Sequence, residues 1–294
     1  TGTQTFDITV ANTNDAPSVS STAVTAVDED AAYSYSITTS DDDSDSSDTW
    51  TISSTSVSWL TLTHTAGAST ATLAGTPANG DVGSHSVTVT VADAGGLTGT
   101  QAFTIVVTNT NDAPSISSTA VTSVDEDAAY SYTTTATDDD VGDTITLTCT
   151  TVPAWMTCTA GALSGTPDND DVGSHSVVIT ATDGNSGSAT DSFSIAVANT
   201  NDAPTITSTA VTAATEDAAY TYTVTTADVD VNDGVTLTGT TVPSWLTFTA
   251  STGVLAGTPL DANVGDNAVV ITASDGDASV TDTFTIVVAN TNDA

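Results

Sequence analysis

The chain has 294 residues, no lysine or arginine, and 37 aspartates plus glutamates, for a formal net charge of −37. Such a surface repels polyanions, which excludes nucleic acid and anionic lipid headgroups as partners, and no Lys or Arg salt bridge can form. The charge also works against a compact state within a Debye length, so the folded protein needs counterions, bound or diffuse. Apolar residues nevertheless make up 38% of the chain and alternate with polar ones, which argues for folded units rather than a disordered acidic tract.

The chain opens with TGTQTFDITVANTNDAP, which matches TGTQAFTIVVTNTNDAP from Thr98. Residues 1–13 therefore read as the final strand of a preceding repeat, or as a strand donated to a neighbouring subunit. The phrase NTNDAP starts at Asn12 and returns from Asn109 and Asn199, with NTNDA from Asn290. The asparagine opening each NDA stands at positions 14, 111, 201 and 292, at intervals of 97, 90 and 91 residues. That period divides the chain into repeats 14–110, 111–200 and 201–291, with 292–294 opening a further linker. No run is long and apolar enough to span a bilayer, so direct membrane insertion of this segment is not expected. The pattern reads as a window of a longer secreted protein, or as a processed form of one.

Within a repeat, AAYSYTTTA, DTITLTCT, HSVVITATD and DSFSIAVAN alternate apolar with polar residues and are dense in Val, Ile, Thr and Tyr, as strands are. Clusters such as GTPDNDDVG, DGNSGS and NTNDAP separate them, and no segment keeps a helical period. Roughly seven short strands in about 90 residues is the rhythm of an immunoglobulin-type sandwich. The predicted fold is all-β: tandem antiparallel β-sandwiches in a linear array. The first copy is longer, with extra residues in DDDSDSSDTW and LTLTHTAGASTATLAGTP. The tryptophan of VSWLT, VPAWMT and VPSWLT reads as a core plug, with a surface carbohydrate platform as the other reading.

The acids gather in loops and return in the same order. They are DED at 28–30, DDD at 41–43, Asp93, and the linker Asn12, Asn14 and Asp15, then their counterparts in the later copies. Six to eight oxygens from carboxylates, amides and carbonyls are what calcium takes, and an Asp-x-Asp in extended chain turns both carboxylates to one side. The other reading is solvated turn acids. Two further constellations are weaker. His64, His85 and His175 have no nucleophile and orienter arranged with them in the sequence, so no catalytic residue is assigned. Cys149 and Cys158 flank a Pro-Trp turn, and either a disulfide or a buried thiol pair fits them.

At TATDDD, LSGTP, ATDGNSGSATDSF and NTNDAP the chain resembles the cadherin-like repeats of large bacterial surface proteins, the dystroglycan-type and immunoglobulin-like relatives of cadherins. NTNDAP is similar to the Asp-x-Asn-Asp-Asn-x-Pro joint of cadherins, and the resemblance implies calcium between successive domains. Carried over residue by residue, one joint would use Glu29, then Asn109, Asn111 and Asp112, then Asp138, Asp140 and Asp183. The next would use Glu126, then Asn199, Asn201 and Asp202, then Asp228, Asp230 and Asp275. The flanking joints would use Asn12, Asn14, Asp15, Asp41, Asp43 and Asp93 at one end, and Glu216, Asn290, Asn292 and Asp293 at the other. The cadherin Leu-Asp-Arg-Glu segment is absent, with LAGTP or LSGTP in its place, and the third copy reads TED where the others read DED. The resemblance implies at least one ion per joint.

Two function classes follow. The first is a calcium-stiffened structural region of an extracellular bacterial filament or giant adhesin, whose partners are other copies of the chain or further repeats. The second is a module that binds glycans or a surface. Near-identity between copies favours the first, and a binder would need at least two coplanar exposed rings on one face. The chain has no Lys for isopeptide crosslinks, no Lys or Arg for trypsin-like proteases, and no Asn-x-Ser/Thr acceptor, although its Ser and Thr could carry O-linked sugars. All of this fits a durable extracellular element.

Overall fold

The computed structural model describes residues 1–43, 51–230 and 233–292. The acidic insertion of the first copy lies largely at 44–50, outside the described residues. The chain divides into two compact units. One holds residues 1–116, 136–146 and 181–189, and the other holds 117–135, 147–180 and 190–294. Each acidic site lies whole within one unit.

Among the described residues every regular element is a strand or a single 3-10 turn; the first repeat builds two sheets, and the second and third each build three, one of them a short two-stranded pair. In the first repeat one sheet runs Ser18–Val19, Tyr33–Ser40, Thr70–Gly75, Leu60–His64, and the other runs Ala26–Asp28, Thr98–Thr108, Gly83–Ala92, Thr51–Ser54. Alternation decides which faces pack. Tyr33, Tyr35, Ile37 and Leu73 from one sheet meet Val87, Val89, Val91 and Ile105 from the other in one core. Equivalent cores form around Tyr130, Leu163, Ile179 and Ile195, and around Tyr220, Leu255, Ile271 and Ile286.

Two details depart from a plain antiparallel sandwich. The DED strand pairs parallel with the last strand, Ala26–Asp28 against Val106–Thr108, Ser123–Asp125 against Ala196–Ala198, and Ala213–Thr215 against Val287–Ala289. That pairing brings the DED turn to the end of the sandwich where the chain leaves for the linker. The segment AAYSYTTTA, predicted as one strand, breaks into Tyr130–Thr133 and Ala136–Thr137, and the second piece pairs with Ser115–Ile116 instead. The first repeat keeps Tyr33–Ser40 whole.

The tryptophans of VSWLT, VPAWMT and VPSWLT are half-buried core pieces. Trp59, Trp155 and Trp245 meet Tyr33, Tyr130 and Tyr220 edge to face, with centroids 5.6, 5.9 and 5.7 Å apart, a geometry ring quadrupoles favour. The glycine of each GTP lies against the tryptophan's backbone. A Cβ on Gly75, Gly165 or Gly257 would fall 1.9, 2.4 or 2.0 Å from that carbonyl oxygen, so only glycine fits there.

A second ring layer differs between copies. His85 and His175 meet Trp59 and Trp155 edge to face and donate from Nε2 to the carbonyls of Asp81 and Asp171, each at 2.6 Å. The indole N–H groups of Trp59 and Trp155 are left buried without partners. In the third repeat Asn267 replaces the histidine, donates to the Asn263 carbonyl and accepts from Trp245 Nε1 at 3.0 Å. A buried unpaired N–H costs about 1–3 kcal/mol. His175→Asn is therefore expected to stabilise the second repeat by about 1 kcal/mol, read as a rise in its melting transition by a few degrees; an unchanged or lower transition would contradict this.

Burial, with the paired tyrosine as a lesser cause, pushes the phenols of Tyr33, Tyr130 and Tyr220 up to about 12. A raised acid contributes stability that is present below its unfolded pKa near 10 and is lost as pH rises through the folded value. In an ultraviolet pH titration these three are expected to stay protonated at about pH 11 while the chain is folded. Ionisation of all the tyrosines in one step near 10 would argue against this packing.

Candidate metal centre

The glutamate of the DED turn is the most deeply buried acid of each repeat: Glu29, Glu126 and Glu216 are 3%, 2% and 2% exposed. Turn geometry puts it there. Asp30, Asp127 and Asp217 take left-handed backbone at φ 58°, 56° and 58°, which Asp tolerates better than most residues. Their amides donate to the carbonyls of Pro77, Pro167 and Pro259, which fastens the turn to the GTP loop. The glutamate then reaches the linker: Oε1 of Glu29 accepts from Thr110 N at 2.6 Å, Oε1 of Glu126 accepts from Thr200 N, and Oε2 of Glu216 accepts from Thr291 N at 3.0 Å. TED therefore loses nothing at this contact relative to DED, because Asp28 and Asp125 are exposed.

The linker aspartate and the Asp-x-Asp loop complete the cluster. Asp112 N donates to Asp140 Oδ2 and Asp202 N to Asp230 Oδ2, both at 2.7 Å. Asp140 N and Asp230 N bond back to Oδ1 of Asp138 and Asp228 at 3.0 Å. Ligand atoms of Glu29, Asp112 and Asp140 all lie within 4.8 Å of one another, as do those of Glu126, Asp202 and Asp230. A third group, Asp138, Asp140 and Asp143, shares Asp140 with the first. Oε2 of Glu29 and Glu126, Oδ2 of Asp138 and Asp228, and Oδ1 of Asp140 and Asp230 are buried without a hydrogen-bond partner. Unpaired buried carboxylate oxygens at this spacing are costly unless a cation meets them, and this chain has no Lys or Arg to do so. Carboxylates at this density fit a hard divalent ion such as calcium.

The linker asparagines join the rim through their nitrogens. Nδ2 of Asn111 donates to Asp183 Oδ2 at 2.9 Å, Nδ2 of Asn201 to Asp275 Oδ2 at 3.2 Å, and Nδ2 of Asn14 to Asp93 Oδ2 at 3.0 Å. That bond is the leading cause holding Asp93 and Asp183 below the usual carboxylate range, with backbone amides adding to it. For Asp275 the amide of Ala278 leads, and Asn201 contributes less. Gly187 keeps this rim tight, because a Cβ there would lie 1.9 Å from Asp183 Oδ2 and 2.9 Å from the Asp112 carbonyl.

In the first linker Asn12 Nδ2 and Asp15 N donate to the two Asp43 oxygens, and Asp43 N donates to Asp41. Asn109, Asn199, Asn290 and Asn292 are exposed on the linkers, and Asn290 Nδ2 reaches the Thr291 carbonyl. Asp293 lies outside the described residues. Asp143 and Asp233 were not singled out in the sequence. Burial, and then repulsion from Asp230, Asp228, Asp275 and Asp277, raises the Asp233 pKa above its ordinary value.

The comparisons with known proteins agree with this architecture. The family model described as "Putative Ig domain" matches residues 16–108, 113–198 and 203–289. No curated protein sequence matches the chain. Among solved structures the chain is similar to protocadherin gamma B2 extracellular cadherin domains 3–6, at 19% identity and TM-score 0.53, covering 94% of this chain and 78% of that one. It is also similar to the protocadherin gamma B4 extracellular domain, at 18% identity and TM-score 0.54, covering 94% of this chain and 51% of that one. A protocadherin gamma B7 EC3–6 cis-dimer gives 16% identity and TM-score 0.53, over 93% and 77% of the two chains. At these identities the likeness establishes the cadherin-like sandwich and nothing finer. The chain belongs to the "Putative Ig domain" family, as three tandem all-β repeats.

Proposed function

We propose that the chain is a structural repeat region of an extracellular bacterial filament or giant adhesin, stiffened at its joints by calcium. One observation carries this reading: a chain without Lys or Arg gathers a buried glutamate, a linker aspartate and a loop aspartate within 4.8 Å at each of two linkers, and leaves buried oxygens of Glu and Asp unpaired. Glu29, Asp112 and Asp140 would hold one ion, and Glu126, Asp202 and Asp230 another. Bound there, the ion supplies positive charge that offsets carboxylate repulsion. The chain's own part is mechanical, since the glutamate comes from one repeat, the aspartate from the linker and the Asp-x-Asp from the next repeat. Partners on this reading are further repeats and further copies of the chain.

No reaction is assigned, because His85 and His175 are committed to backbone carbonyls and to tryptophan faces. The glycan-binding reading draws little support, since Phe6 is the one exposed aromatic among the described residues. Isothermal titration with calcium tests the proposal: at least one ion per joint, at about 10⁻⁴–10⁻³ M as in extracellular modules, is the expected result. No heat of binding, together with retention on a glycan array, would favour the second class.

An extracellular setting also suits a disulfide between Cys149 and Cys158, whose Cα atoms are 6.3 Å apart, within disulfide range. Closing so short a loop stabilises by about 2–3 kcal/mol. Reduction is expected to lower the melting transition of the second repeat and leave the other two unchanged.

A further inference from the structure

Outside the carboxylate clusters, one pair of amide side chains points at them from a segment that carries no recognised ligand. The GTP loop runs into a 3-10 turn, Asn79–Asp81 in the first repeat and Asn169–Asp171 in the second. Its proline carbonyl is bonded to the turn that carries the buried glutamate. The first residue of each turn then reaches the linker aspartate of the cluster. Asn79 Nδ2 donates to Asp112 Oδ2 at 2.9 Å, and Asn169 Nδ2 donates to Asp202 Oδ2 at 2.8 Å. The other end of the second amide is unsatisfied, because Asn169 Oδ1 is buried and has no hydrogen-bond partner.

The third repeat separates two explanations of this contact. Aligning GTPDN with GTPLD puts Asp261 where Asn169 stands. If the residue served only to donate a hydrogen bond to a linker carboxylate, an aspartate would replace that bond with repulsion between like charges. An oxygen ligand, by contrast, is common to Asn79, Asn169 and Asp261, and a cation accepts the amide and the carboxylate alike. Half a turn of the terminal amide presents Oδ1 where Nδ2 now lies.

We infer that Asn79 and Asn169 are additional cation ligands, giving Oδ1 to the same divalent ion as Glu29, Asp112 and Asp140 or Glu126, Asp202 and Asp230. The inference rests on the calcium reading proposed above. It gives the GTP loop a role, supplying from a new position the upstream oxygen that the missing Leu-Asp-Arg-Glu segment would have provided.

The test is calcium titration of the full chain, by isothermal calorimetry and by sensitised terbium luminescence, on wild type, Asn169→Ala and Asn169→Asp. Melts in chelator accompany each titration. Loss of a ligand or of the group orienting one costs about 10–100-fold in affinity. Asn169→Ala is expected to weaken one class of sites by that factor and to lower the melt more in calcium than in chelator, where only its hydrogen bond to Asp202 is lost, and Asn169→Asp is expected to bind at least as tightly as wild type. Wild-type affinity in Asn169→Ala would overturn the inference and leave the calcium reading standing. So would weakened binding in Asn169→Asp, or a melt that drops equally with and without calcium, since both describe a purely structural hydrogen bond. A wild-type chain that takes up no calcium at all would overturn both.

Discussion

Replacing Asp140 by Asn is expected to change stability in opposite directions with and without calcium. Asp140 is 6% exposed and belongs to two of the carboxylate groups, with Glu29 and Asp112 on one side and Asp138 and Asp143 on the other. The asparagine keeps an oxygen to accept the Asp112 N–H that now bonds Oδ2, and it removes the charge whose Oδ1 has no partner. In chelator the variant loses mutual repulsion among carboxylates about 4–5 Å apart, which at an effective dielectric near 20 amounts to roughly a few kcal/mol before screening. Its melt should rise. In millimolar calcium it lacks an anionic ligand of the site, and affinity at that joint should fall about 100-fold, or roughly 2.7 kcal/mol. Matched melts of wild type and variant in the two buffers provide the check; the same sign in both would mean that the aspartate is a solvated turn acid.

The second large effect is ionic. With 37 acids and no Lys or Arg, the metal-free chain is held apart by repulsion that acts over about 10 Å at 0.1 M salt and about 3 Å at 1 M. Raising sodium chloride from low salt to about 1 M in chelator should therefore lift the melting temperature by about 10 °C or more, equivalent to about 2 kcal/mol per repeat. With millimolar calcium already present, the same salt step should do much less, because the clustered part of the charge is then neutralised where screening by salt reaches least. Equal shifts in the two buffers would mean that calcium acts only as diffuse ionic strength.

Much of this was legible from residue order alone. Alternation in HSVVITATD and DSFSIAVAN located the two longest strands, because one face of each must be buried and period two leaves no other way to do it. The acidic residues that gather at the joints were visible because they recur together. What escaped was whatever depends on pairing or side-chain direction. The parallel contact of Ser123–Asp125 with Ala196–Ala198 leaves no local signal, yet it is what carries Glu126 to the linker. Asp143 reads as one more turn acid until the Asp-x-Asp loop folds it back toward Asp138 and Asp140. Asn169 reads as a turn residue after proline, and only the fold shows it facing Asp202. The linker amides of Asn111 and Asn201 were expected as oxygen donors, and in the structure their nitrogens brace Asp183 and Asp275.

Whether calcium stiffens the joints is decided by a thermal melt of the chain, paired with small-angle X-ray scattering, in millimolar calcium and again after chelation. The expected result is a large rise in melting temperature with calcium, together with a rigid extended particle that becomes more flexible when the ion is removed. An unchanged melt and an unchanged scattering profile would contradict it, and would reduce the clustered aspartates and glutamates to solvated turns.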